Sequence, residues 1–150
     1  MVKKGAMLIG NFLAKLDKVK GRTALPKTFR SILGSKIIIT AGYEKSLMII
    51  GKDSWNKVVG NIINKPFISG PARETDRFLL GSAFEVVLDT QGRFIIPQSL
   101  RSHAKLAEEI IFVGVGNRVE VWGLKAWEEY QTYLDKNIER IAQQLNESEK

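Results

Sequence analysis

"LDTQGRFIIPQSLR" occupies residues 88–101, and "LDKVKGRTALPKTFR" occupies residues 16–30. The two stretches are one phrase written twice. Aligning Arg22 with Arg93, Pro26 with Pro97 and Arg30 with Arg101 gives a constant offset of 71 residues. Downstream, Gly42 with Gly114, Gly51 with Gly123 and Trp55 with Trp127 continue it at 72. Two copies are too few for a solenoid, which needs about three or more stacked units. They predict one domain with pseudo-two-fold symmetry, in which each half buries its apolar face against the other.

Local signals run in the same order in both copies. "AFEVVLD" (83–89) ends in an apolar, β-branched run that predicts a strand. Gly92 stands where a tight turn needs positive φ, which glycine adopts without steric cost. "RFII" resumes as a strand, and Pro97 ends it and opens a short helix, "PQSLRSHA". "EEIIFVGVG" and "NRVEVWG" read as a hairpin across Gly116 and Asn117, with a helix from about Leu124. The first copy repeats this: "MLIGNFLAKLD", a turn at Gly21, "TALP", helix "KTFRSIL", strands "KIIIT" and "SLMIIG". There Asp53 is expected to cap a helix beginning at Ser54. "ARETDRFLLGSA" predicts a helix linking the copies. Trp127, Tyr130, Leu134, Ile138, Ile141 and Leu145 form one apolar stripe on a C-terminal helix, fitted to core or intersubunit packing.

The charge is unevenly placed. Residues 1–30 hold Lys3, Lys4, Lys15, Lys18, Lys20, Arg22, Lys27 and Arg30 against Asp17 alone, so the whole net charge of +7 lies there. The remaining residues are balanced. A basic surface confined to one element is either a solvated terminus or the electrostatic footprint of a phosphate-binding face.

Several functional classes lack their residues. There is no cysteine, hence no disulfide and no thiolate metal site, a composition suited to a reducing cytoplasm. The apolar run near the start is broken by Lys15, Asp17 and Lys18, which argues against a signal peptide. No apolar run approaches the roughly 18 residues of a membrane helix. His103 is the sole histidine and stands beside Ser102 without a nucleophile–base set. "GVG" (114–116) lacks the spacing of a dinucleotide loop. Asp53, Glu74 and Asp76 have no metal-ligand spacing. The expectation is a protein that is not an enzyme and needs no cofactor. RNA binding is disfavoured because the basic segment has only Phe12 and Phe29 to stack on.

The pattern L-D-x-x-G-R-x-x-x-P-x-x-(F/L)-R, carried twice, together with "VGVGNRVEVWGLKAWEEY" (113–130), resembles the MraZ family of bacterial transcriptional regulators, built from two SpoVT-AbrB-type units. The resemblance runs from about Leu8 to Tyr130. It implies an α+β fold: a pseudo-two-fold, interlocked, swapped-hairpin β-barrel of AbrB-like type, made of two repeats in one chain with flanking helices. Repeat 1 is expected at 11–54, linking helices at 55–82, repeat 2 at 83–126 and the amphipathic helix at 127–150. Members assemble into rings and bind short G-rich direct repeats upstream of the division and cell-wall gene cluster, which includes their own gene. A double-stranded DNA partner, a homo-oligomeric ring and a cytoplasmic, nucleoid-associated location are therefore expected, with no membrane. The family usually starts near Met7, so "MVKKGA" precedes the resemblance as either a native extension or an alternative start.

The motif has a physical rationale. Its aspartate can accept turn amides and hold a guanidinium, glycine closes the turn, and arginine presents a planar fork suited to phosphate or guanine. Lys15, Lys18, Lys20, Gly21, Arg22, Lys27 and Arg30 are the expected DNA-binding set, and Asp17, Pro26, Asp89, Gly92, Arg93, Pro97 and Arg101 the structural motif positions. Copy one is expected to grip DNA while copy two completes the barrel and packs against a neighbour. Copy one departs from the family by one extra residue between Asp17 and Arg22, which a bulge can absorb but which leaves the role of Asp17 open. The competing readings are an AbrB-like antitoxin and a protein-binding ring with no DNA role.

Overall fold

The doubled phrase is carried into a doubled order of elements. A computed structural model describes residues 6–63 and 65–148; Lys3 and Lys4 of the basic segment, and the last two residues of the expected terminal helix, lie outside the described residues. Copy one runs β1 (Leu8–Lys15), β2 (Arg22–Ala24), α1 (Lys27–Leu33), β3 (Lys36–Ala41), β4 (Leu47–Gly51) and α2 (Lys52–Ile63). After α3 (Gly70–Leu79), copy two runs β5 (Phe84–Val87), β6 (Arg93–Ile95), α4 (Gln98–His103), β7 (Glu109–Gly116), β8 (Val119–Gly123) and α5 (Leu124–Ser148). The starts of α1 and α4 differ by 71 residues, and those of α2 and α5 by 72.

The prolines set the short helices. Pro26 and Pro97 sit at the N-cap positions of α1 and α4 with φ near −55° and extended ψ, where the missing N–H costs nothing. Ser69 caps α3 by accepting a hydrogen bond from the Ala72 amide. Asp53 does not cap a helix from Ser54: α2 begins at Lys52 directly out of β4, and Asp53 falls inside its first turn, where its charge suits the helix dipole.

The strands exchange partners between copies. β1 of copy one pairs antiparallel with β7 of copy two, from Leu8 opposite Gly116 to Lys15 opposite Glu109. Reciprocally, β5 of copy two pairs with β3 of copy one, and β2 pairs with β6. The described strands form a six-stranded antiparallel sheet, in order β1-β7-β8-β4-β3-β5, and a separate two-stranded ribbon, β2-β6. The closed barrel expected from the sequence is not what the hydrogen bonds draw: among the described residues β1 and β5 are the two edges of the sheet. Beyond Leu16 and Leu88, whose amides still donate to the Glu108 and Ser35 carbonyls, the following strands leave the sheet and pair with each other instead of bridging its edges.

The main core lies between the sheet and the ribbon with its two short helices. Leu16, Leu25, Phe29 and Leu33 from copy one meet Leu88, Phe94, Ile96 and Leu100 from copy two, over Ile37, Ile39, Ile110, Phe112 and Val121 of the sheet. On the opposite sheet face, Ile111, Val113 and Trp122 pack against Trp127 and Tyr130 of α5. The main core is shared by both halves, whereas this smaller cluster lies wholly within copy two.

Candidate nucleic-acid interface

The ribbon carries the motif arginines. In both β2 and β6 the outer residues are exposed and the middle one, Thr23 or Phe94, is buried. Register places Arg22 opposite Ile95 and Ala24 opposite Arg93, so both arginines lie diagonally on one exposed face. The structure thus brings Arg22 and Arg93 together, although the sequence reading assigned them separate tasks.

Their turns differ by the extra residue. In copy two, Asp89 Oδ1 accepts from the amides of Gln91 (2.9 Å) and Arg93 (2.8 Å), and Oδ2 accepts from Arg93 Nε at 2.7 Å. The Arg93 amide, and then its guanidinium, hold the Asp89 carboxyl below the usual carboxylate range. In copy one, Asp17 Oδ1 accepts from the amides of Val19 (2.9 Å) and Lys20 (3.3 Å). The longer turn leaves its carboxylate occupied with the loop, and Arg22 has no carboxylate partner among the described residues. One arginine is held in place and the other is unpaired.

A pH dependence follows for the held one. A lowered folded pKa means that the charged Asp89 contributes stability above the unfolded value of about 3.9, lost as pH falls through the folded value. The urea midpoint of Asp89→Asn is therefore expected to lie below that of the natural chain at neutral pH, with the gap closing as the pH falls below about 4. A gap unchanged across that range would remove the carboxylate charge from the account.

The other expected residues divide by position. Lys18 and Lys20 are exposed on the copy-one turn, and Lys27 is exposed at the start of α1. Lys15, at the end of β1, lies 3.6 Å from Glu109 in an exposed pair of little energetic weight. Gly21 and Gly92 have φ of +76° and +78°, as a turn of this shape requires. Arg30 and Arg101 are half-buried and point elsewhere: Arg101 lies over Gly21, and Arg30 lies over Gly92. Each covers the turn of the other copy.

Sequence reading passed over Val19, which is 90% exposed at the tip of the copy-one turn between Lys18 and Lys20. An apolar residue inside a lysine-rich turn was the available signal. His103 is structural in its surroundings: its Nε2 lies 3.2 Å from the Gly42 carbonyl, and its ring packs edge-on to Phe78. Among the described residues there is no cluster of three or more potential metal ligands, and no helix is long and apolar enough to cross a membrane.

Comparison with known proteins agrees with the doubled architecture. The family model described as "MraZ protein, putative antitoxin-like" matches twice, over residues 7–78 and 79–147. The chain is 39% identical over 140 residues to the transcriptional regulator MraZ of Caldanaerobacter subterraneus subsp. tengcongensis, covering 93% of this chain and 97% of that one. It is 38% identical over 141 residues to the protein of the same name from Thermoanaerobacter sp. (strain X514), covering 94% and 98%. A third, from Natranaerobius thermophilus, is 34% identical over 139 residues, covering 93% and 96%.

Proposed function

The chain belongs to the MraZ family of transcriptional regulators, and from that membership we propose that it binds double-stranded DNA through the exposed face of the β2-β6 ribbon and the copy-one turn beside it. The observation that carries this reading is the unpaired Arg22 on that face, flanked by Lys18 and Lys20. Arg22 is the base-reading residue and the lysines neutralise phosphates, with Val19 positioned for apolar contact with a thymine methyl. Lys15 and Lys27 extend the basic surface to either side. The site uses no cofactor.

The proposed target is a set of short direct repeats upstream of the division and cell-wall gene cluster, including the chain's own gene. Copies act together as a head-to-tail ring, the two halves forming a swapped-hairpin barrel-like unit. Two unpartnered apolar surfaces on one chain support such a contact. On β1, Ile9 and Leu13 are 70% and 56% exposed; on α5, Ile138 and Leu145 are 53% and 59% exposed. Complementary surfaces at different places on one molecule make heterologous contacts, which close as rings where the rotation allows. The protein then works in the cytoplasm, at the nucleoid.

The test is a gel shift with DNA taken directly upstream of the chain's own gene, beside a scrambled control, over a series of salt concentrations. Preferential binding is expected, with log K falling linearly in log[salt] by about 0.9 per phosphate contact. Absence of binding even at low salt would overturn the reading in favour of a protein-binding ring or an antitoxin, the latter in keeping with the family model's description.

A further inference from the structure

The copy-one turn is not shaped by copy one alone. Arg101, on α4 of copy two, donates from Nε to the Ile96 carbonyl at 2.9 Å and from Nη1 to the Lys18 carbonyl at 3.1 Å. Between these anchors its guanidinium covers Gly21: a Cβ added there would lie 2.7 Å from Arg101 Cζ and 2.9 Å from the Ile96 carbonyl oxygen. The Ile96 amide in turn donates to the Gly21 carbonyl at 2.8 Å. One planar fork therefore ties together the Lys18–Gly21 turn, the end of the β6 segment and its own helix. The packing over the glycine turn recurs across the pseudo-dyad, without the two carbonyl anchors. The Leu25 amide donates to the Gly92 carbonyl at 2.9 Å, and the Arg30 guanidinium occupies the space that a Gly92 side chain would take.

We propose that Arg101 and Arg30 are positioning residues, each setting the shape of the other copy's glycine turn, and that Arg30 is consequently not a DNA contact. For Arg101 this rests on the reading above that the copy-one turn meets DNA. At position 101 the chemistry needs arginine in particular. Two carbonyls in different directions are satisfied by one rigid, always-charged group, whereas a lysine ammonium supplies a single flexible point. The glycine requirement has a related origin, since positive φ and the Ile96 carbonyl oxygen 2.9 Å from an added Cβ disfavour a side chain at position 21, and one there would also displace the guanidinium. The arrangement also couples the halves: any displacement of α4 in copy two is transmitted to the lysines that flank Arg22.

Arg101→Lys and Arg101→Ala separate this from a phosphate contact. Hydrogen–deuterium exchange is followed in the segments spanning residues 17–22 and 94–97, with strands β3 and β7 as the fold control. Both variants are expected to exchange about tenfold faster in the two turn segments, as loss of a charged hydrogen bond implies, with the strand controls unchanged. Preference for the operator over scrambled DNA should fall about tenfold in both, while the salt slope stays at its natural value. A phosphate contact would behave oppositely. Lysine would rescue it, the turn segments would keep their protection, and alanine would reduce the salt slope by about one per subunit engaged; that pattern overturns the proposal. The exchange readout needs no DNA. If the natural protein shows no operator preference, the DNA reading falls, while faster exchange in both variants still supports the positioning role and unchanged exchange overturns it.

Discussion

Arg22→Ala is expected to abolish discrimination between operator and scrambled DNA while leaving the thermal midpoint and the assembly state close to those of the natural protein. The unpaired guanidinium lies on the exposed face of the β2-β6 ribbon, so its removal opens no cavity and orphans no buried group. Losing one base-reading arginine typically costs about 1–3 kcal/mol of discrimination. In an assembly that engages several turns at once, the loss recurs at every box, so two engaged boxes double it and the specific complex disappears into the non-specific background. Lys20→Ala is expected to weaken operator and scrambled DNA alike, and by less, because in the proposed interface it would remove only a phosphate contact. Arg93→Ala makes the informative contrast. Arg93 shares the face but has Nε committed to Asp89, so its loss is expected to register mainly in stability. Equal losses of discrimination from Arg22→Ala and Arg93→Ala would show that the ribbon is read as a symmetric unit. Loss from Arg93→Ala alone would reverse the roles of the copies.

The contrast was partly legible in the sequence. The extra residue between Asp17 and Arg22 can be counted, and its consequence is geometric: a longer turn carries the carboxylate onto the amides of Val19 and Lys20, away from the guanidinium. The turn glycines, the short helices behind Pro26 and Pro97 and the hairpin of β7 and β8 were readable because each depends on residues adjacent in the chain. The exchange of partners was less so. Neither the pairing of Thr23 with Phe94 nor the seating of Arg101 on Gly21 leaves any local trace, since they bring together residues 71 and 80 positions apart. The seating of Arg30 over Gly92, 62 positions away, is equally without local trace, and in the sequence Arg30 is one more cation of a basic segment. The α5 stripe was visible as a period, but the division of labour along it was not. Trp127 packs edge-on and Tyr130 stacks against Trp122, and Tyr133 continues the ladder, because β8 ends where α5 begins; Ile138 and Leu145 lie farther along the helix and are exposed.

That outward stripe leads to the spacing experiment. One chain already contains the pseudo-dyad that a simple homodimer would otherwise provide, so assembly has no need of a further two-fold axis. In the proposed head-to-tail assembly, copies joined through β1 and α5 would present their copy-one turns in the same sense, and turns in the same sense call for direct rather than inverted repeats. For each turn to meet the same groove face, the boxes must be spaced by about one helical turn, roughly 10 base pairs. On the proposed reading a single turn, with one reading arginine and a few lysines, would bind weakly, and affinity would depend on linking boxes through effective concentration, which can raise it by about 10²–10⁴ without any new contact. Inserting about half a turn between two boxes, roughly 5 base pairs, rotates the second to the far side of the duplex. The gain from linkage is then lost, and affinity is expected to fall about a hundredfold or more. Inserting a full turn restores the facing and costs only the added reach, a far smaller loss. Footprinting on the two spacer variants distinguishes them directly. Equal protection of the half-turn and full-turn operators, or of boxes rewritten as inverted repeats, would mean that each subunit binds alone or as a two-fold pair, and the head-to-tail account would fail.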